Sequence, residues 1–375
     1  MTPKERVKRA MDLGIPDRVP LMCQLSIGHF LQQLDVSPSE FWYDAGTFAD
    51  GLVEIRSRYD FDGILVSLHG HNPAWRSLVL SIRETPDGEE VLLENGQRSM
   101  HPHDELPQVK NGRSSNKPSL ESCRVEQLPE MLSYIPVSQG LHFEISPSER
   151  FQVFHLVKEK AGETYSIHGE VTSPFDYYLD LFGLEEGLMG LIDQPEKARL
   201  VLAHFAKLVS ELASDMCATG IDAVKISSPF AGAGFISSHF YRDFVIPFER
   251  IVAQKIRRMG VHAYTHTCGA VKDRLELMFE SGVSGIECLD PPPLGDVELE
   301  EAKKRTRGRG FIKGNMDSVN TLLKADTETI LGDAKKRIQA GKENGGYIFS
   351  TACSVAPCVP RKNMVLLREA VERWG

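Results

Sequence analysis

The chain has 375 residues and seven cysteines, with a formal net charge of −9, 41% hydrophobic residues and 25% charged residues. An acidic surface repels phosphate backbones, which excludes general nucleic-acid binding, and no run of about 18 apolar residues is present to cross a membrane. The opening residues are charged and lack the apolar stretch of a secretory signal, so we expect a cytoplasmic protein with reduced thiols.

Short apolar runs alternate with longer helical patterns along the chain. Eight of these runs have the length and composition of strands: Val19–Leu25, Asp62–Ser67, Tyr165–Val171, Asp222–Ser227, Val261–Thr265, Gly285–Leu289, Gly310–Gly314 and Gly346–Ser350. Strands that alternate with helices predict parallel βαβ units. Eight such units predict an α/β protein with one (β/α)8 TIM barrel over residues 1–375.

One region, residues 83–149, breaks this alternation. It is polar and contains the turn signals "TPDGEE" and "ENGQ". We predict that it forms a hairpin and loops inserted after strand two.

Polar side chains gather where the predicted strands end. In a TIM barrel the chemistry lies at the carboxyl ends of the strands. We assign catalytic roles to Glu287 and His168, and substrate contacts to five further residues. Those five are His69, His71, Glu170, Asn315 and Asp317. Structural roles are the alternatives: His69 and His71 could be loop residues without a substrate contact, and the Asn315–Asp317 segment could cap a helix.

The run "YTHTCGAVKD" places His266 and Cys268 two residues apart at the end of strand five. In extended backbone, residues i and i+2 point to the same side, so both side chains can hold one ion. Imidazole and thiolate ligands suit zinc. The alternative is a half-buried histidine beside an inert cysteine.

A third ligand is offered by Cys353, which follows strand eight. Three protein ligands and one open position are typical of catalytic zinc. The fourth position is left to Glu287, Cys358 or solvent, and Cys288 is interpreted as a core residue.

The chain resembles the uroporphyrinogen decarboxylase superfamily from Met1 to Trp374, most weakly in residues 83–149. The resemblance is carried by "MTPKERVKRAMDLGIPDRVP", "GEVTSPFDYYLDLFG", "GIDAVKISSPFAGAGFIS", "HTCGAVKD", "GIECLDPPPLGDVELEEAK", "IKGNMDSVNTLL" and "STACSVAPCVPRKN". It implies a (β/α)8 barrel, as the strand pattern does.

Two branches of the superfamily differ in chemistry. The decarboxylases carry an arginine-bearing run after the opening, whereas the matching "RVPLMCQLSIGHF" has no arginine after Arg18. The other branch contains methylcobamide:coenzyme M methyltransferases and corrinoid-dependent demethylases. Its zinc signature is His-x-Cys with a distant cysteine, and His266, Cys268 and Cys353 stand at the matching places.

The resemblance implies Zn²⁺ as cofactor and a methylcobamide or cobalamin as co-substrate. Because the chain has no Asp-x-His-x-x-Gly cobalamin loop, we expect a separate corrinoid-binding protein as partner. The other substrate is a small methylated compound or a thiol acceptor, and a homodimer is compatible with the sequence. A tetrapyrrole decarboxylase and a non-catalytic zinc barrel that binds a corrinoid protein are the alternatives.

Overall fold

A parallel sheet forms the centre of the protein in a computed structural model that describes residues 1–110 and 117–375. In these residues the sheet has seven strands in the order β1-β8-β9-β10-β11-β12-β13, and each neighbouring pair is parallel. The strands of this sheet are β1 (Gly63–Val66), β8 (Ser166–Thr172), β9 (Ala223–Ser227), β10 (His262–Thr267), β11 (Gly285–Cys288), β12 (Phe311–Met316) and β13 (Tyr347–Thr351).

Seven of the eight predicted strands match these elements, and the prediction for Val19–Leu25 is wrong. That segment makes only two isolated bridges, Leu21 to Phe349 and Leu25 to Val355. The reason is local, because Pro20 has no N–H to donate and the Leu21 N–H donates to the Asp62 carboxylate instead of to a strand.

The same segment nevertheless joins the two edges of the sheet. The Met22 N–H donates to the Phe349 carbonyl of β13 at 3.0 Å, and the Leu21 carbonyl accepts from the Asp62 N–H, just before β1, at 2.8 Å. The sheet is therefore curled, and the fold is TIM-barrel-like.

Helices cover the outside of the sheet. Both faces of the strands are consequently buried, as in β12 and β13, where every residue is buried. The helices are α1 (Pro3–Met11), α2 (Ile27–Gln33), α3 (Pro38–Tyr43), α4 (Ala45–Tyr59), α5 (Trp75–Leu78), α6 (Gln152–Ala161), α7 (Pro174–Phe182), α8 (Leu184–Asp193), α9 (Pro195–Ala218), α10 (Ser238–Phe244), α11 (Ile246–Arg258), α12 (Leu275–Met278), α13 (Leu299–Arg305), α14 (Thr327–Lys342) and α15 (Arg361–Trp374). In the described ranges no helix is long and apolar enough to cross a membrane.

Antiparallel strands occupy the chain between β1 and β8. A four-stranded sheet has the order β2-β3-β4-β5, and β6 pairs with β7 in a hairpin. Their bounds are β2 (Val79–Thr85), β3 (Gly88–Leu93), β4 (Arg98–Pro102), β5 (Gln108–Lys110), β6 (Tyr134–Pro136) and β7 (His142–Glu144). The elaboration thus begins before residue 83 and contains more strands than the predicted hairpin, while residues 111–116 of the predicted insertion lie outside the described part of the chain.

Candidate metal centre

Four side chains meet at the carboxyl ends of β10, β11 and β13. One ligand atom from each of His266, Cys268, Cys288 and Cys353 lies within 4.8 Å of the others. The His266 Nε2 is 3.2 Å from the Cys268 Sγ and 3.9 Å from the Cys353 Sγ, and the two sulfurs are 3.6 Å apart. One imidazole and three thiols form a donor set that suits zinc. The structure therefore brings together the three predicted ligands and adds a fourth side chain.

The position of His266 and Cys268 follows from the end of β10. His266 is the penultimate residue of the strand, and Cys268 comes directly after it. Gly269 then has a φ of 75°, in the left-handed region that favours glycine, and its N–H donates to the Asp290 carboxylate at 2.7 Å. The turn at Gly269 lets the chain leave the strand without moving the two side chains apart.

Cys288 reaches the cluster because the end of β11 is not regular. The core interpretation rests on the strand-like run in which Cys288 lies. Regular strand alternation would place its side chain on the opposite face from Glu287. Cys288 is indeed fully buried, but it and Leu289 have φ values of 83° and 53°. This conformation costs about 1–2 kcal/mol for each non-glycine residue. It turns the Cys288 sulfur toward the other ligands.

The residue after β11 is held by a buried amide. The Asn315 Nδ2 donates to the Leu289 carbonyl at 2.9 Å, and the Arg337 guanidinium donates to the Asn315 Oδ1 at 2.7 Å. Across the strand pair, Gly314 faces Cys288, and a Cβ at position 314 would lie 2.6 Å from the Cys288 carbonyl oxygen. Asn315 therefore supports the irregular end of β11, whereas we predicted a substrate contact.

Glu287 orients the histidine of the cluster. Its Oε2 lies 3.0 Å from the His266 Nδ1. Because an ionised carboxylate can only accept, Nδ1 carries a proton, and Nε2 is the ring nitrogen that faces the thiols. Glu287 does not belong to the group of four ligand atoms, so its place is behind the histidine, and the predicted role as a fourth ligand is not what this geometry favours.

Two buried lysines keep Glu287 ionised. Lys313 forms a close ion pair with its Oε1, and the Lys225 Nζ lies 3.7 Å from its Oε2. Burial raises the pKa of Glu287, but the ammonium groups of Lys313 and then Lys225 bring this pKa well below its usual range. Neither lysine was predicted as a site residue, although each lies in the middle of an apolar strand.

The Lys225 ammonium also binds the predicted substrate residue Glu170. Its Nζ is 2.9 Å from the Glu170 Oε1 and 2.6 Å from the Gln24 Oε1. The other Glu170 oxygen is buried without a hydrogen-bond partner. Glu170 thus belongs to the same charged network as Glu287, inside the sheet and behind the cluster.

His168, to which we assigned a catalytic role, has its ring nitrogens directed at protein groups. The Ser166 hydroxyl is 3.0 Å from Nε2, and the Tyr264 hydroxyl is 3.1 Å from Nδ1. Burial lowers the pKa of His168 to about 3, so the ring is neutral. These contacts hold it within the sheet rather than at the cluster.

His69 and His71 lie apart from the cluster, among aromatic rings. The His69 ring stacks on Phe151 and its Nδ1 is 2.8 Å from the Arg150 carbonyl, while the His71 ring contacts Phe143 edge-on. Burial lowers the pKa of His69 to about 4 and that of His71 to about 3. The structure does not bring these two histidines to the other predicted site residues.

A cavity of about 280 Å³ opens beside Cys353. Asp317 lies in its wall and also accepts hydrogen bonds from the backbone N–H groups of Val319 and Asn320. The lining combines acidic, small and apolar side chains: Asp290, Pro291, Leu294, Asp317, Ser318, Val319, Asn320, Ala352, Cys353, Ser354 and Ala356. Cys358, the other predicted alternative ligand, is exposed and outside the cluster.

The chain is similar in sequence to several known proteins. A family model described as uroporphyrinogen decarboxylase (URO-D) matches residues 147–374. The methylcobamide:CoM methyltransferase MtbA of Methanosarcina mazei is 22% identical over 377 residues, which cover 100% of this chain and 98% of the relative. A uroporphyrinogen decarboxylase of Legionella pneumophila is 23% identical over 273 residues, which cover 71% of each chain.

Among solved structures, a methyltransferase from Methanosarcina mazei has a TM-score of 0.73 at 17% identity, covering 100% of this chain and 99% of the other. This likeness supports the TIM-barrel-like fold. Because the family model matches more than half of its length, the chain belongs to the uroporphyrinogen decarboxylase (URO-D) family.

Proposed function

We propose that the protein is a zinc-dependent methyltransferase that moves a methyl group between a small methylated substrate or a thiol and a corrinoid carried by a partner protein. The observation that carries this proposal is the cluster of one imidazole and three thiols beside an open cavity. Full-length similarity to methylcobamide:CoM methyltransferases supports it.

The cluster fits the chemistry of a zinc ion. His266 and Cys268 come from one strand end and Cys353 from another, so the three predicted ligands converge from two sides. When bound, zinc would stabilise an entering thiol as its thiolate, or polarise the leaving group of a methylated substrate.

The protein's own residues prepare the site for that ion. Glu287 accepts from the Nδ1 of His266, so Nε2 is the nitrogen that would bind the ion. Hydrogen bonds from the Cys268 thiol first, and then from the Cys288 thiol, bring the pKa of Cys353 well below its usual value.

The cavity beside Cys353 is where the substrate would bind. In the thiol direction, the substrate sulfur, as its thiolate, would take the methyl group from the methylcorrinoid; the new S–C bond would form as the Co–C bond breaks, and the bonding pair would stay with the corrinoid. In the demethylation direction, the methylated substrate would give its methyl group to the reduced corrinoid, and the leaving group would keep the bonding pair. Both directions require the corrinoid to approach over the same cavity.

The contacts of Arg18 argue against a tetrapyrrole decarboxylase. Arg18 donates to the Asp62 carboxylate at 2.9 and 3.2 Å, where the N-terminal segment meets β1. It is therefore engaged in the fold instead of being free to clamp a substrate carboxylate. A non-catalytic zinc barrel is the other alternative. It would bind zinc without catalysing methyl transfer, whereas the proposed enzyme would do both.

The direct test measures metal and turnover in the same preparation. The purified protein is analysed for zinc and then incubated with methylcobalamin and simple thiols, or with cob(I)alamin and a panel of aryl methyl ethers and methylated thiols. We expect about one zinc per chain and a change in the cobalt spectrum with one class of substrate. A gently purified protein without zinc would refute the metal site, and zinc without any turnover would favour the non-catalytic alternative.

A further inference from the structure

The fourth side chain of the cluster, Cys288, is not one of the three predicted zinc ligands. Cys288 is fully buried, and its sulfur lies within 4.8 Å of the ligand atoms of His266, Cys268 and Cys353. We propose that Cys288 is the fourth ligand in the resting state, and that an incoming substrate group replaces it. This inference rests on the proposed zinc function.

The spacing of the ligand atoms supports four-coordinate binding. Zinc–sulfur bonds of about 2.3 Å at the tetrahedral angle place neighbouring ligand atoms about 3.8 Å apart. The separations between His266, Cys268 and Cys353 are 3.2, 3.6 and 3.9 Å, close to that value. The Cys288 sulfur lies inside the same 4.8 Å limit as the other three ligand atoms, so it is within reach of a fourth position on the same ion.

The backbone at Cys288 is arranged for this position. A regular strand would direct Cys288 away from the cluster, and the left-handed φ values of Cys288 and Leu289 direct it toward the cluster. The amide of Asn315 holds the Leu289 carbonyl, and Gly314 leaves space for the Cys288 carbonyl. A conformation this uncommon persists only where its surroundings maintain it, and such sites cluster around function.

Other candidates for the fourth position are already engaged or distant. Glu287 pairs with Lys313 and His266, and Cys358 is exposed and outside the cluster. Asp290 lines the cavity, but one of its oxygens accepts from the Gly269 N–H at 2.7 Å. Within the described residues, Cys288 is therefore the additional ligand that the cluster itself contains.

Replacement of Cys288 would open one coordination position to a substrate that enters from the cavity. Structural zinc sites have four protein ligands, whereas catalytic sites keep one position open. When a thiol replaces Cys288, one thiolate sulfur takes the place of another, and the proton of the incoming thiol passes to the Cys288 sulfur, so the charge of the site is unchanged. Among the four ligands, Cys353 lines the cavity, which places the entry route on its side of the cluster.

The test counts the sulfur ligands by X-ray absorption at the zinc edge. The full-length zinc protein is compared with Cys288→Ser and with the control Cys217→Ser, which removes a buried thiol of α9 that is not in the cluster. We expect three sulfurs and one nitrogen in wild type and control, and two sulfurs in Cys288→Ser. Addition of 2-mercaptoethanol should leave wild type at three sulfurs and raise Cys288→Ser from two to three.

A second variant covers the case in which Cys288→Ser does not fold. Asparagine tolerates the left-handed region, so Cys288→Asn should retain the fold and show the same loss of one sulfur. Wild type with zinc bound by two sulfurs would overturn the role of Cys288 and favour Asp290 or water, while leaving the zinc site in place. Four sulfurs in wild type after addition of the thiol would overturn the exchange. Wild type that binds no zinc would instead refute the proposed function.

Discussion

Replacement of Glu287 by glutamine separates the role of this carboxylate at the metal from its role in the fold. The carboxylate uses Oε2 for the His266 Nδ1 and Oε1 for the Lys313 ammonium. Glutamine has the same shape but one acceptor oxygen, so it cannot serve both donors. In addition, the described residues provide no other carboxylate in an ion pair with Lys313.

The structure sets two magnitudes for Glu287→Gln. Removal of one partner from a buried ion pair costs about 3–5 kcal/mol of stability, and both Glu287 and Lys313 are buried. Loss of the group that orients a metal-binding histidine lowers metal affinity about 10- to 100-fold, which corresponds to about 1.4–2.7 kcal/mol. Urea unfolding of the zinc-free protein measures the first quantity, and competition with a chelator measures the second.

A double replacement distinguishes the two effects. Glu287→Leu combined with Lys313→Met removes the whole pair, and apolar replacements of buried ion pairs are often neutral or stabilising. We expect it to recover most of the stability while zinc affinity stays as low as in the single variant. As a surface control, Glu301→Gln removes the exposed pair with Lys272 and should leave both measurements unchanged. The reasoning fails if Glu287→Gln keeps wild-type stability and affinity, or if the double variant regains full affinity.

Further predictions concern the ligands, a buried acid and the substrate. Cys268→Ala and Cys353→Ala should each lose most of the zinc and the methyl transfer while keeping the circular-dichroism spectrum, and full zinc and activity in Cys353→Ala would exclude it as a ligand. Burial raises the pKa of Glu249 from 4.5 to about 7. The folded state then binds more protons than the unfolded state. The free energy of unfolding should therefore decrease by on the order of 3 kcal/mol as the pH rises from about 4.5 to about 7. Urea titrations should show that Glu249→Gln removes this part of the decline, and an unchanged pH profile would contradict the assignment. Among the described residues, the cavity wall contains two aspartates and no lysine or arginine. Calorimetry should therefore detect tighter binding of uncharged or cationic methyl compounds than of anionic ones, and Asp317→Asn should reduce that preference. Incubation with uroporphyrinogen should yield no coproporphyrinogen. Formation of coproporphyrinogen at ordinary enzyme rates would refute the inference that the contacts of Arg18 with Asp62 disfavour decarboxylation.

The strands were largely predictable from the sequence because parallel strands are buried on both faces. Their apolar runs stand out between amphipathic helices, and seven of the eight matched. Val19–Leu25 has the same composition but differs in its bonding. One of its donors goes to the Asp62 side chain and Pro20 has none, so the pattern of apolar residues could not reveal that the ladder is broken.

Part of the candidate site was predictable for a similar reason. His266 and Cys268 are two residues apart at the end of a strand, where the spacing of extended backbone sets the direction of a side chain. The same spacing rule could not predict the direction of the Cys288 side chain, because the rule assumes extended backbone. At Cys288 the backbone is not extended, and φ is 83°. The support for this conformation comes from Asn315 and Gly314, which belong to another strand.

The charged network behind the cluster depends on register, which no single strand reveals. Glu287 faces Lys313 across β11 and β12, and Glu170 faces Lys225 across β8 and β9. Each lysine alone would be costly in an apolar strand, and each becomes stable only beside its acidic partner. The same pairing keeps a negative charge next to His266, because Glu287 stays ionised in spite of its burial. Sheet register thus links the stability of the barrel interior to the binding state of the histidine. A substitution at Lys225 or Lys313 should consequently alter zinc binding although neither side chain belongs to the metal cluster.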